Sequence, residues 1–136
     1  MKGSRMGWRF NCMRMMAMFV ALLSYAMIFL CQGCDSLKDP PVSVTFRASL
    51  LKGAVLQLHN RSGGRVVCDV HVKSSSKNQT KCSSFGIPPN EMVEVGLLEM
   101  EWAFGEGDKG HVSVDGYCKK IYFEIASDGY RTHVGL

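Results

Sequence analysis

The residues of this chain whose types could carry chemistry are its cysteines and histidines. Beyond residue 34 the cysteines are Cys68, Cys82 and Cys118. If the chain turns about residue 75, Cys68 comes opposite Cys82 on one face of a hairpin, which predicts a disulfide between them that does not include Cys118. The bond depends on register, and three reduced buried thiols remain the alternative, since a disulfide also requires an oxidising compartment.

The spacing of these residues predicts neither a metal centre nor a catalytic site. The histidines are His59, His71, His111 and His133. They form no H-x-H or H-E-x-x-H motif, and the cysteines form no C-x-x-C pair. His71 shares its strand face with Asp69 and Lys73, which is typical of a solvated residue. A catalytic pair of Cys118 with a histidine is conceivable in space, but no spacing selects the partner. We therefore expect no catalytic residues, no metal and no cofactor.

The elements that must position these side chains are short strands. Apolar residues alternate with polar ones without a helical period, for example Val66, Cys68, Val70 and Val72. Extended segments are predicted at 42–47, 55–59, 66–73, 79–85, 92–95, 97–98, 111–114 and 117–125. Asp115-Gly116 indicates a hairpin, residues 105–110 a loop, and residues 99–104 either a strand or one helical turn. The last eleven residues carry a weak pattern, and we expect them to fray. This spacing predicts an all-β fold, a single small antiparallel β-sandwich.

Trp102 lies in the densest aromatic cluster of this region, beside Phe104. We expect it in the core, because so large a ring buries well in a sandwich. The alternative is an exposed anchor for a partner.

Residues 42–125 resemble the small immunoglobulin-like sandwich modules of secreted bacterial proteins, including FxLYD-type domains. The matching features are an alternating strand that runs into Asn60-Arg61-Ser62-Gly63, and a Gly105-Glu106-Gly107-Asp108 turn before the strand Val112-Ser113-Val114. The chain has no F-x-L-Y-D string and no Cys…Trp…Cys framework. The resemblance implies an immunoglobulin-like architecture and transfers no function.

The charge of the chain is concentrated at its N-terminus. Four of the 16 Lys and Arg residues (Lys2, Arg5, Arg9 and Arg14) precede an uncharged run at 15–30, and the other 12 are balanced by 12 Asp and Glu. This balance excludes a strongly basic nucleic-acid-binding domain. A basic segment followed by an apolar run is typical of a secretory signal. As a helix the run would span roughly 24 Å, less than a bilayer core of about 30 Å, which favours cleavage over anchoring.

The end of the apolar run, Leu30-Cys31-Gln32-Gly33-Cys34, resembles a bacterial lipobox. The resemblance implies cleavage after Gly33 and lipidation of Cys34, which would hold the protein on the exported side of the cell membrane or outer membrane. It departs from the usual pattern at Cys31, where an aliphatic residue is typical. The predicted organisation is a signal peptide at 1–33, a polar tether at 34–41 ending in Pro40-Pro41, and the β-sandwich at 42–136.

These features predict a lipid-anchored binding or scaffolding module with an envelope protein as partner and no enzymatic activity. The alternatives are a small periplasmic enzyme or enzyme inhibitor, and a membrane protein that keeps its signal as an anchor. A concave pocket with converging titratable groups would favour an enzyme. An apolar patch or a bare sheet edge would favour a binding module.

Overall fold

The computed structural model describes Met18 and residues 37–136. Apart from Met18, the predicted signal peptide lies outside the described residues, as do the lipobox and Cys34. The chain divides into two units, Met1–Gly33 and Cys34–Leu136, and all of the strands below belong to the second. Within the described part, no helix has the length and hydrophobicity needed to span a bilayer.

Residues 37–136 form an all-β domain, as the alternation predicts. A single turn of helix, α1 (Leu97–Met100), interrupts the strands. The strands are β1 (Val42–Ala48), β2 (Ala54–Asn60), β3 (Val66–Ser74), β4 (Gln79–Ile87), β5 (Met92–Val95), β6 (Asp108–Val114), β7 (Lys120–Ala126) and β8 (Gly129–Gly135).

The strands make two antiparallel sheets in a sandwich-like arrangement. The smaller sheet has the order β1-β2-β5, and the larger has the order β4-β3-β6-β7-β8. The β1–β2 hairpin lies in the small sheet, and the β3–β4 hairpin lies in the large one. The chain then returns to the small sheet with β5 and completes the large sheet with β6, β7 and β8. β4 and β8 are the edge strands of the larger sheet, and β1 and β5 are the edge strands of the smaller one.

The core lies between the inward faces of the two sheets. In β3, Cys68, Val70 and Val72 are buried while the residues between them are not, so the alternation seen in the sequence is the alternation of faces. The buried apolar side chains come from both sheets and from the α1 region: Val42, Val44, Leu56, Leu58, Cys68, Val70, Val72, Ile87, Val95, Met100, Trp102, Phe104, Val112, Val114, Ile121 and Phe123.

A fully buried Asn60 closes one end of the sandwich. Its Nδ2 donates to the carbonyl oxygens of Gly64 at 2.7 Å, Ile87 at 3.2 Å and Pro88 at 3.0 Å. Its Oδ1 accepts from the backbone N–H of Ser62 at 2.9 Å and from the Ser62 hydroxyl at 2.7 Å. Asn60 therefore ties the end of β2 to the turn that follows and to the end of β4.

Trp102 is in the core, as expected, with 9% of its surface exposed. Its Nε1–H donates to Asp108 Oδ2 at 2.9 Å, and the backbone N–H of Gly105 donates to the same oxygen at 3.0 Å. The buried Asp108 therefore satisfies the indole and fixes the loop that leads into β6.

Three predicted features are wrong. The β3–β4 hairpin pairs Ser74 with Gln79, so its register is displaced by three residues from the predicted one. Residues 97–98 are helical, because the Glu99 carboxylate accepts the backbone N–H of Gly96 at 2.9 Å and stabilises a helical turn. The last eleven residues contain a full strand, β8, which pairs with β7 along its whole length.

Candidate functional site

One row of side chains crosses all five strands of the larger sheet on its outer face. It is positioned by register: each residue lies directly opposite the next on the neighbouring strand. Because Val70 and Val72 point inward, the residue between them points outward, and the partners on the other strands follow. We call this set the histidine row; from β4 to β8 it consists of Cys82, His71, His111, Tyr122 and His133.

The members of the histidine row contact one another. The His71 and His111 rings stack at 4.6 Å between centroids, with 15° between their planes. The Tyr122 ring lies 5.7 Å from His111 and stacks on His133 at 5.1 Å. Cys82 Sγ lies 3.4 Å from His71 Nε2. The His71 ring covers one face of His111, so ring edges with their nitrogen atoms are what this pair offers to a ligand.

A hollow of about 280 Å³ lies beside the row, across β4, β3 and β6. His71, His111 and Cys82 line one side, and Lys73, Lys109 and Thr80 line the other. Lys73 and Lys109 are directly opposite each other on neighbouring strands, as are His71 and His111. Four basic side chains therefore occupy two adjacent cross-strand positions.

Only part of this positive charge is balanced. Lys109 Nζ lies 2.9 Å from Glu124 Oε1, and Lys81, at the rim of the hollow, lies 3.1 Å from Glu101. No carboxylate in residues 37–136 forms an ion pair with Lys73. Burial lowers the pKa of His111 from 6.5, and the charges of Lys120 and His71 lower it further. The imidazole of His111 is thus mainly neutral at pH 7.

The predicted disulfide partners lie on opposite faces of the larger sheet. Cys68 is fully buried opposite Phe85, whereas Cys82 is exposed opposite His71, and both are free thiols in this structure. Bringing them together would require β4 to slide by three residues. Burial, followed by the charges of Asp69 and Asp115, raises the pKa of the Cys68 thiol to about 12. Cys68 is therefore a core residue, and Cys82 is the one of this pair that can react.

A second surface lies where the two sheets differ in width. β1 ends the three-stranded sheet, and its Phe46 packs against Phe123 of β7 and Tyr130 of β8, with ring centroids 5.3 Å apart in each pair. β8 extends one strand further. Its Tyr130, Thr132 and Val134 lie opposite core residues of β7, so they point toward the inner side of the sheet. Tyr130 remains 41% exposed although Phe46 packs against its ring, and Val134 is 44% exposed. We call these three residues the β8 ledge.

A third surface is apolar and lies at the end of the sandwich where β1 and β5 finish. Four exposed leucines surround a hollow of about 250 Å³ there: Leu50, Leu51, Leu97 and Leu98. Beside it, Arg47 forms an ion pair with Glu94. Within this leucine end, Leu97 and Leu98 follow β5, which forms the edge of the small sheet opposite to β1.

Sequence reasoning assigned His71 to a solvated strand face, and the structure places it there. It did not bring His71 together with Cys82, His111 or His133, because no local spacing connects residues on four different strands. The available signal was parity, and it was clear only for His71, which lies between the inward-facing Val70 and Val72, and for His111, which precedes the buried Val112.

Comparisons with protein-family models, with curated proteins and with solved structures find no match. The class of the protein is therefore defined by its own fold, an antiparallel β-sandwich. Its outer features are a histidine row, a β1 edge to which no strand of residues 37–136 is paired, beside the β8 ledge, and an exposed leucine end.

Proposed function

We propose that this protein is a bacterial lipoprotein, held on the exported side of the cell membrane or outer membrane by lipid on Cys34. Its sandwich binds an extended segment of an envelope protein and catalyses no reaction. The observation that carries the binding proposal is the bare edge of β1 beside the uncovered β8 ledge. An unpaired strand edge offers backbone donors and acceptors, and exposed side chains beside it supply specificity.

The space beside β1 fits one strand. Neighbouring strands lie about 4.8 Å apart, and β8 is the single strand by which the larger sheet extends beyond β1. A segment hydrogen-bonded to β1 would place every second side chain on Tyr130, Thr132 and Val134. The partner segment should therefore be extended, with apolar residues at alternate positions.

A second copy of this domain fits poorly at this edge. If it paired antiparallel through its own β1, with the apolar side chains directed toward the ledge, its β7 would have to occupy the space of the first copy's β8. This follows because β1 packs over β7 through Phe46 and Phe123. The geometry favours an isolated segment over a second sandwich.

The lipid anchor is supported by the lipobox resemblance and by the polar tether. Asp39, near the end of the tether, forms an ion pair with Lys119, whose Nζ lies 2.7 Å from Asp39 Oδ1. This ion pair holds the chain against the domain just before β1 begins. A Cys34→Ser variant should leave the membrane fraction or accumulate as an unprocessed precursor. If it matures and stays in membranes as the wild type does, the anchor proposal is wrong.

The binding proposal can be tested with a phage-displayed library of short random peptides selected against the full-length protein. Selected peptides should have alternating apolar residues and should lose binding to a Thr132→Glu variant, which places a charge on the ledge. His133→Glu is the matched control, since it changes the adjacent residue on the opposite face of β8. Leu98→Ser tests the leucine end. Binding that is lost with Leu98→Ser and kept with Thr132→Glu would overturn the proposal.

A second candidate function is catalysis by Cys82, favoured by the 3.4 Å contact with His71. A histidine at this distance can accept the thiol proton and generate a nucleophilic thiolate. If this pair is catalytic, His71→Phe should slow alkylation of Cys82 by iodoacetamide and flatten its dependence on pH between 6 and 8. An unchanged rate and pH profile would exclude His71 as the base.

A further inference from the structure

We infer that the hollow between the histidine row and the Lys73–Lys109 pair binds a phosphate group. This site lies on the outer face of the larger sheet, away from the β8 ledge, and does not depend on the binding of a strand.

The arrangement of charge is the first argument. Like charges directly opposite each other on neighbouring strands destabilise a sheet. Here Lys73 faces Lys109, and the adjacent pair, His71 and His111, is also basic. Glu124 compensates Lys109, but Lys73 forms no ion pair with any carboxylate of the described domain. An anion in the hollow would relieve this repulsion.

The donor set is the second argument. Lysine ammonium groups bind phosphate as point charges, and the ring N–H groups of histidine and the hydroxyl of Thr80 can donate to its oxygens. All of these groups line the same hollow. No arginine lines it, so the planar two-point recognition typical of carboxylates is not provided.

The size of the hollow is the third argument. Its volume of about 280 Å³ is just below the roughly 300–1,000 Å³ of typical small-molecule pockets. It suits a single phosphate group with a small part of the molecule that carries it, and the remainder would extend into solvent. The phosphate can belong to a soluble monoester or to a lipid headgroup, and both present the same dianion.

The test is an NMR titration of the full-length protein in a phosphate-free neutral detergent, following the histidine ring protons. Inorganic phosphate is added at constant ionic strength, with sodium chloride as the reference anion. Phosphate should shift the ring protons of His71 and His111 saturably, and chloride should not. Phosphate should also raise the apparent pKa of the His111 ring, because a bound dianion favours the protonated imidazole.

The variants separate a site from general attraction of anions. The double variant Lys73→Gln/Lys109→Gln should weaken phosphate binding at least about tenfold. The matched control, Lys52→Gln/Arg61→Gln, removes the same charge elsewhere on the surface and should bind as the wild type does. Equal loss in both double variants, or no loss in either, would overturn the inference.

A second arm identifies the source of the phosphate. The protein is mixed with phosphatidylcholine vesicles that contain or lack phosphatidic acid, and sedimentation of the Cys34→Ser form is measured. Binding that requires phosphatidic acid and Lys73 assigns the site to a lipid headgroup, whereas binding of inorganic phosphate alone assigns it to a soluble ligand. Failure of both probes to bind more strongly than chloride and pure phosphatidylcholine would show that the hollow is not a phosphate site.

Discussion

The outer faces of the two sheets differ in how their charged side chains are paired. On the three-stranded sheet, Arg47 Nε donates to Glu94 Oε1 at 2.6 Å, and Gln57 Nε2 donates to the same oxygen at 2.9 Å. Thr45 Oγ1 donates to Gln57 Oε1 at 3.2 Å. The Arg47 hydrogen bond, followed by that of Gln57, lowers the pKa of Glu94 to about 2. Every charge in this network has an opposite partner.

On the five-stranded sheet, the corresponding positions bring like charges together. Lys73 and Lys109 face each other beside two stacked imidazoles. A face that only needed to be soluble could have alternated its charges, as the other sheet does. The charged side chains on the three-stranded sheet therefore neutralise each other, whereas the Lys73–Lys109 pair on the five-stranded sheet would be neutralised by a bound anion.

The largest expected effect contrasts the outer face of the larger sheet with its inner face. Cys82 should react with iodoacetamide in the folded protein, whereas Cys68 should react only on unfolding, since it is fully buried and its pKa is raised to about 12. A folded domain at least about 5 kcal/mol stable predicts rates that differ more than about a thousandfold. Peptide mapping by mass spectrometry reads each thiol separately. Comparable labelling of Cys68 in native buffer would show that the inner face is open.

The next prediction concerns the like-charged pair. Lys73→Glu places a carboxylate opposite Lys109 and should stabilise the domain by up to about 1 kcal/mol, because a repulsive cross-strand pair becomes attractive. The thermal midpoint should rise by up to about 4–8 °C in low salt, and the gain should shrink at high salt. Lys52→Glu, in the loop before β2, is the control and should have no such effect. A lower midpoint for Lys73→Glu would mean that the charges on this face are already balanced.

A smaller effect should appear between pH 7 and pH 5. His111 is surrounded by His71 from β3, by Tyr122 and Lys120 from β7, and by Lys109 on its own strand. Burial lowers the pKa of His111, and the charges of Lys120 and His71 lower it further. The unfolded chain therefore binds a proton at higher pH than the folded one. This contribution reduces stability as the pH falls below about 6.5 and is absent above it. His111→Gln should lose less stability than the wild type over this range in urea titrations, and the control His59→Gln should behave as the wild type.

The smallest effect is expected on the balanced face. Because the pKa of Glu94 is depressed, its contribution is complete above pH 4.5 and is lost as the pH falls toward 2. Both partners are exposed, so the ion pair contributes little even at neutral pH. The thermal midpoint of Glu94→Gln should be slightly below that of the wild type at pH 7 and equal to it near pH 2. A difference that persists at pH 2 would show that packing, and not charge, is responsible.

Much of the fold could be predicted because it is local. Alternation in β1, β2 and β3 identified the inward residues, and Asp115-Gly116 marked the turn between β6 and β7, where Gly116 has a φ of +84°. The β3–β4 register could not be predicted in the same way. The serines and polar residues around the turn carry no hydrophobic pattern, so the register is chosen by distant packing, such as Val66 against the buried Ile87.

The candidate site could not be predicted from the sequence for the same reason. The histidine row requires four registers to be correct at once, and a shift of one residue in any of them would turn part of the row into the core. β8 was missed because Tyr130 and Val134 are its only large apolar residues and Thr132 stands between them, which leaves a weak pattern. The bare edge of β1 depends on which strand pairs with which, and composition does not contain that information.

The buried Asn60 has a consequence for how the protein can be produced. Asn60-Arg61-Ser62 and Asn78-Gln79-Thr80 both match the acceptor sequence for N-linked glycosylation. A glycan would be attached to the Asn60 Nδ2 that donates to three carbonyl oxygens inside the sandwich, whereas Asn78 is exposed in the β3–β4 turn. Secretion from a eukaryotic host should therefore yield folded protein glycosylated at Asn78 only, and any chain modified at Asn60 during synthesis should fail to fold.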